Sequence, residues 1–231
     1  MRDKNLLENN SIHLFAKDLQ NKLRERESNV KGKIPTHEEL VKISDEWLPE
    51  GLVFCRAQTK CENTCTLQRR CESSYWKHHN KQVAELMSDF AKLISQDQSL
   101  FYATGFLHDI DYLKYPHDYE FYSLFDAHPF KAVKYLEELD INSSMLLAIL
   151  EHSPHLNLEP SNLLSKSLLA CDDIITFTSA NIELNWDLKL PSSWVKLFND
   201  LPRGHLQDSS VNIDRFYSRV LPTLKSLCSG L

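Results

Sequence analysis

Glycine and proline are scarce in this chain. With 5 Gly and 9 Pro in 231 residues, the long stretches between them carry few turn signals, which disfavours a sandwich or barrel and favours helices. Long apolar runs are also missing. None approaches the roughly 18 residues that a membrane span needs, and the charged start MRDKNLLENN lacks the apolar segment of a secretory signal. The expectation is a cytoplasmic protein with no membrane partner. Positive charge is not in excess either. Lys and Arg number 26 against 32 Asp and Glu, for a formal net charge of −6, so no general electrostatic attraction draws the chain to a nucleic acid duplex or an anionic lipid surface. Hydrophobic residues make up 42%, enough for a real core. The fold class expected is all-α.

The six cysteines are Cys55, Cys61, Cys65, Cys71, Cys171 and Cys228. The first four lie close together without the C-x-x-C pair that marks a zinc site. Two readings stand, unpaired thiols in a loop-rich linker of a reduced protein or a small four-cysteine zinc or iron–sulfur site.

Three parts are expected along the chain. Residues 1–74 begin with the amphipathic stretch SIHLFAKDLQNKLRERES, followed by KGKIPTHEELVKISDEWL. There Thr36 and Glu39 have the spacing of a capping box opening a helix to about Trp47. Residues 75–180 carry most of the histidines and are read as five helices. In HHNKQVAELMSDFAKLI the apolar Val83, Leu86, Phe90 and Ile94 recur at helical spacing. LFYATGFLHDI forms a second helix ending in His108-Asp109. HPFKAVKYLEEL forms a third, with His128 at its start and Pro129 at the favoured first helical position. SSMLLAILEH ends at His152, with Pro154 stopping it. SNLLSKSLLACDDIITF places Leu164, Leu168, Cys171 and Ile175 on one stripe, with Asp172 on the same side. Residues 181–231 hold a helix after Pro191-Ser192 and another over roughly 211–227, both read as packing.

His79, His108-Asp109, His128, His152 with His155, and Asp172-Asp173 follow one another at intervals of about one helix plus one connection. Imidazole and carboxylate are ligands for divalent first-row metals. A carboxylate buried beside an imidazole after the apolar Gly105-Phe106-Leu107 is costly unless a cation balances it. His13, His37, His78, His117 and His205 are read as ordinary core or surface histidines.

These segments resemble the HD superfamily of metal-dependent phosphohydrolases. The likeness is carried by His79 with Val83-Ala84, GFLHDIDYLKYP, HPFKAVKYLEEL, AILEHSPH and LLACDDIITF. It is similar to small bacterial HD hydrolases in which the pair is followed by a further Asp-Tyr and then a His-Pro helix start. The resemblance implies an HD-domain helical bundle over 75–180, with helical extensions before and after it. It also implies one or two divalent ions (Mn, Mg, Fe, Zn, Ni or Co). His79, His108, Asp109 and Asp172 match the core metal ligands. His128 and His152 match the additional histidines of two-metal members, with Asp109 then bridging. His155 remains an alternative to His152, and Asp173 to Asp172. The implied chemistry is hydrolysis of a small phosphorylated substrate by metal-activated water, with Asp109 or Asp111 holding that water or taking its proton. Lys114, Lys131 and Lys134 are candidates for binding the substrate phosphate. The aromatic stretch 117–127 is either a lid or packing. Two further readings are an HD-type di-iron oxygenase and a non-catalytic helical interaction module. Residues 1–74 have no counterpart in the resemblance, and the oligomeric state is unknown.

Overall fold

The computed structural model of the protein describes residues 2–29, 32–52, 72–115 and 126–180. Cys55, Cys61, Cys65, Cys71 and Cys228, most of the aromatic stretch after Pro116, and the two helices expected beyond residue 181 lie outside the described residues. Among the described residues the fold is all-α. Seven helices run in the order α1 (Arg2–Asn29), α2 (His37–Trp47), α3 (Ser73–Leu93), α4 (Gln98–Leu107), α5 (Phe130–Glu138), α6 (Ser143–His152) and α7 (Leu163–Ala180), with a 3-10 turn at Pro154–Leu156 between the last two. An isolated bridge pairs Lys33 with Ile141. None of these helices is long and apolar enough to cross a membrane.

The helix starts follow from local chemistry. Thr36 and Glu39 form the reciprocal capping box that opens α2, Asp97 accepts from the amides of Ser99 and Leu100 at the start of α4, and Asn142 accepts from Ser144 at the start of α6. Helix α5 starts later than the sequence suggests. Pro129 takes φ −94° and ψ 6°, outside the helical well, so it is the N-cap rather than the first helical residue, and the His128-Pro129 bond is cis. Helix α4 likewise stops at Leu107 with His108 as its C-cap, because the chain turns tightly through 108–114.

Helix α6 is the centre of the packing. Every residue from Met145 to His152 is buried, which is the signature of a helix surrounded on all sides, and α1, α4, α5 and α7 all contact it. Helix α1 presents Ile12, Ala16 and Leu23 to the main core, one face of a helix by their spacing. Two polar residues of α1, Gln20 and Arg24, meet one carboxylate. Glu151, whose side chain is fully buried, accepts from Gln20 Nε2 at 2.6 Å and from the amide and hydroxyl of Ser161 at 2.8 and 3.0 Å, with Arg24 Nη2 at 3.5 Å. His13 Nδ1 donates to the carbonyl of Leu156 at 2.9 Å. Helix α1 is thereby fixed to the loop after α6.

Helices α3 and α4 pack along each other where Gly105 meets Ala84. A methyl group on Gly105 would fall 2.8 Å from Ala84 Cα and 2.9 Å from Ala84 N, so only glycine allows this approach.

Two stability outcomes follow. Glu151→Ala removes the acceptor of four buried or half-buried donors and should lower the unfolding free energy by about 3 kcal/mol in urea melts, with α1 the first element to lose amide protection. In Gly105→Ala the helix-propensity gain of about 1 kcal/mol is outweighed by an overpacking cost of about 1–3 kcal/mol. The variant should therefore melt below the wild type, and a higher melting temperature would show that α3 and α4 separate without penalty.

Candidate metal centre

Five elements deliver six side chains to one place. His79 lies in the second turn of α3, with Tyr75 one turn earlier stacked parallel to its ring at 6.3 Å between centroids. His108 caps α4, Asp109 follows it, His128 lies just before Pro129, the N-cap of α5, His152 ends α6 and Asp172 sits midway along α7. These side chains form two overlapping groups, His79, His108, Asp109 and Asp172 in one and Asp109, His128 and His152 in the other. In each group the ligand atoms lie within 4.8 Å of one another. The structure thus brings together all six residues picked out as metal ligands. His152 belongs to the cluster while His155 sits on the 3-10 turn beside it, and Asp172 belongs while Asp173 does not.

Hydrogen bonds on the outer side of three of the four rings, all but His79, decide what faces inward. His108 Nδ1 donates to the carbonyl of Gly105 at 2.7 Å, His152 Nδ1 to that of Ile149 at 2.6 Å, and His128 Nδ1 to Asp111 Oδ1 at 2.7 Å. Each of these Nδ1 atoms must carry a proton, so a neutral ring presents an Nε2 lone pair to the centre. Those lone pairs meet carboxylate oxygens. Asp109 Oδ1 is 3.4 Å from His128 Nε2 and 3.3 Å from His152 Nε2, while Oδ2 is 3.4 Å from His108 Nε2 and 3.8 Å from His79 Nε2. His108 Nε2 is buried without a hydrogen-bond partner. His79 Nε2 is 3.1 Å from Asp172 Oδ1, which also accepts from Thr176 Oγ1 at 3.3 Å. Lone pairs converging on lone pairs in a buried space require a cation between them, either protons or a metal.

Titration reflects that demand. Burial opposes charge on His108, but Asp109 and Asp172 beside it prevail and hold its pKa well above the ordinary histidine value. Burial likewise opposes charge on His128, and Asp111 and Asp109 raise its pKa all the same. For His152 burial wins, helped by repulsion from His108 and His128, and its pKa falls. Against the penalty of burial, the neighbouring histidines push Asp109 and Asp172 well below the usual carboxylate range.

The site opens into a cavity of about 180 Å³ whose wall includes Tyr75, Trp76, Tyr112, Ser153, His155 and Asp173. Residues 77–176 match the family model of the HD domain. This stretch of the chain is an HD domain. No curated protein and no solved structure matches the chain. Helices α1 and α2 precede the matched stretch, and α7 runs slightly past it.

The remaining sequence candidates fall elsewhere. Asp111 does not line the cavity of the HD domain. It is fully buried, with Oδ1 on His128 Nδ1 and Oδ2 accepting from the amide of Ala132 at 2.8 Å, so it orients a ring and is not available to a water in the cavity. None of Lys114, Lys131 and Lys134 lines the cavity either. Lys131 pairs with Asp126 at 2.8 Å, and Lys114 lies 5.9 Å over the Trp47 ring. Sequence reasoning missed Ser153, whose Oγ is 2.8 Å from His128 Nε2. Nothing in its residue type or position marked it. Histidine ligands regularly donate their outer nitrogen to a carboxylate, but the Asp-x-Asp spacing after His108 does not tell which of the two carboxylates faces the centre and which stands behind a ring.

The pH dependence has opposite signs with and without metal. His108 and His128 are raised in the folded protein, so their contribution to stability is present below the ordinary histidine pKa of about 6.5 and is lost as pH rises through their folded values. Asp109 and Asp172 are lowered, so theirs is present above the ordinary carboxylate pKa of about 3.9 and is lost as pH falls through their folded values. Chelator-treated protein should therefore lose thermal stability as pH rises above about 6.5. Metal ligands must be deprotonated, so the gain in melting temperature on adding manganese should grow over the same range. A gain independent of pH would contradict proton displacement at this site.

Proposed function

We propose that the chain is a metal-dependent phosphohydrolase that cleaves a phosphate ester of a small molecule or nucleotide. The observation that carries this reading is Asp109, a buried carboxylate that offers one oxygen to each of two histidine groups at the foot of an open cavity. HD domains are in general metal-dependent phosphohydrolases, which points the same way.

On this reading His79, His108, Asp109 and Asp172 hold one divalent ion, and His128, His152 and Asp109 hold a second. An ion so held lowers the pKa of a coordinated water and offsets charge on phosphoryl oxygens. The protein's own residues do the rest. Asp111 fixes the His128 ring, and the carbonyls of Gly105 and Ile149 fix His108 and His152, so the ligand geometry is set before substrate arrives. Asp109, with one oxygen towards each group, is the carboxylate placed to orient the attacking water. Tyr75, Trp76 and Tyr112 line the cavity and restrict water there, and His155, which also lines it, would give a proton to the leaving oxygen. Among the described residues no lysine or arginine lines the cavity, so no basic side chain there would meet the charge of the phosphate.

The test is phosphate release from p-nitrophenyl phosphate and a panel of nucleoside and sugar monophosphates. The protein would be stripped with chelator and reloaded separately with Mn, Mg, Fe, Zn, Ni or Co. Activity should depend on reloading, and Asp109→Ala should lower kcat/KM by more than about 100-fold, beyond the loss typical of residues behind the ligands. Full activity of that variant at saturating manganese would place the chemistry elsewhere. Oxygen uptake by iron-loaded protein without phosphate release would make it an oxygenase instead.

A further inference from the structure

The two ligand groups differ in what a cation would have to displace. In the group of His79, His108, Asp109 and Asp172, the hydrogen bond at the inward nitrogens joins two of its own members, His79 Nε2 and Asp172 Oδ1, and His108 Nε2 has no hydrogen bond at all. In the group of Asp109, His128 and His152, the inward nitrogen of His128 is already engaged by a residue outside the set. Ser153 Oγ lies 2.8 Å from His128 Nε2, and both side chains are almost completely buried, at 1% and 2% exposure. With Nδ1 bonded to Asp111, the neutral His128 ring has one lone pair left, and the Ser153 hydroxyl donates to it. A ring nitrogen cannot accept that proton and bind an ion at once.

Resting on the metal-dependent reading above, we propose that Ser153 is a built-in competitor for the second ion, so that the two positions fill in order and unequally. The His79 position fills first. The His128 position fills only when the ion displaces the Ser153 hydroxyl, which makes the step from one ion to two sensitive to metal concentration. Ser153 is suited to this because its fold role uses the main chain. It follows α6 with φ −73° and ψ 115°, and its carbonyl accepts from the amide of Leu156 at 3.3 Å. Its side chain can therefore be removed without undoing the turn. Asp111 has the opposite effect, holding His128 in the tautomer that an ion needs. Ser153 is accordingly a residue that sets ion occupancy, not a catalytic one.

The experiment is calorimetric titration of manganese into chelator-stripped full-length protein, with bound manganese counted independently by electron paramagnetic resonance. Wild type should bind one ion tightly and a second more weakly. Ser153→Ala should leave the first constant unchanged and tighten the second by about 3- to 10-fold, the worth of one hydrogen bond of this kind. Ser153→Gly also lacks the hydroxyl and suits the same backbone angles, so it should reproduce the shift and guards against an effect peculiar to the alanine methyl. A second constant that is unchanged, or weakened as it would be if Oγ were itself a ligand, overturns the proposal while leaving the metal-dependent reading intact. A shift of both constants together also overturns it, because the effect would then not belong to His128. Wild type that binds no ion overturns the proposal and the reading beneath it.

Discussion

A single buried carboxylate, Asp109, sets the terms for the site. Its side chain is only 9% exposed, and each oxygen faces two imidazoles. Such a charge is tolerable in the interior only if positive charge is supplied beside it. The helices are arranged to supply it from four directions, with His79 from α3, His108 from the end of α4, His128 from the approach to α5 and His152 from the end of α6. The contact of Gly105 with Ala84 brings α3 close enough to α4 for the first two rings to lie 5.2 Å apart. The apolar packing around α6 holds the fourth in place. Core and site are therefore one problem with one solution, since the helices that bury the most hydrocarbon are also those that carry the ligands.

Much of this could be read from the sequence because it depends on local spacing. The capping box of Thr36 and Glu39, the apolar positions of α3 and α7 and the end of α6 before Pro154 follow from the helical repeat and from what proline forbids. The six residues of the cluster share an order along the chain that only a common centre explains. What could not be read depends on direction rather than spacing. Asp111 is two residues after Asp109 but points outward behind His128, and no periodicity in a tight turn fixes that. The lysines were near the ligands in sequence and away from the cavity in space. Pro129 suggested a helix start, yet its backbone angles put it one residue before the helix.

Helix α1 shows a different kind of limit. The family match begins at residue 77, and the amphipathic pattern of α1 says that it needs a partner without saying which. The partner is α6, through Ile12, Ala16 and Leu23 on the apolar side and through Gln20 and Arg24 on Glu151. Glu151 adjoins His152 in the chain, so the residue that fastens α1 and the residue that faces the centre lie next to each other on the last turn of one helix. The same turn leads into the loop of Ser153 and His155. The N-terminal helix thus backs one wall of the cavity without lining it.

The two histidines whose outer nitrogens bond to carbonyls, His108 and His152, stand at the C-terminal ends of α4 and α6. The peptide dipoles of a helix add up to about half a negative charge at that end. Two such ends therefore look into the same space, and unlike a carboxylate neither can be protonated or replaced by mutation. An anion that reaches the cavity ahead of a cation meets this field together with Asp109, Asp172 and Asp173, whereas a cation is drawn in by all of them. The main chain thereby adds to the carboxylates a field that favours a cation over an anion in this space.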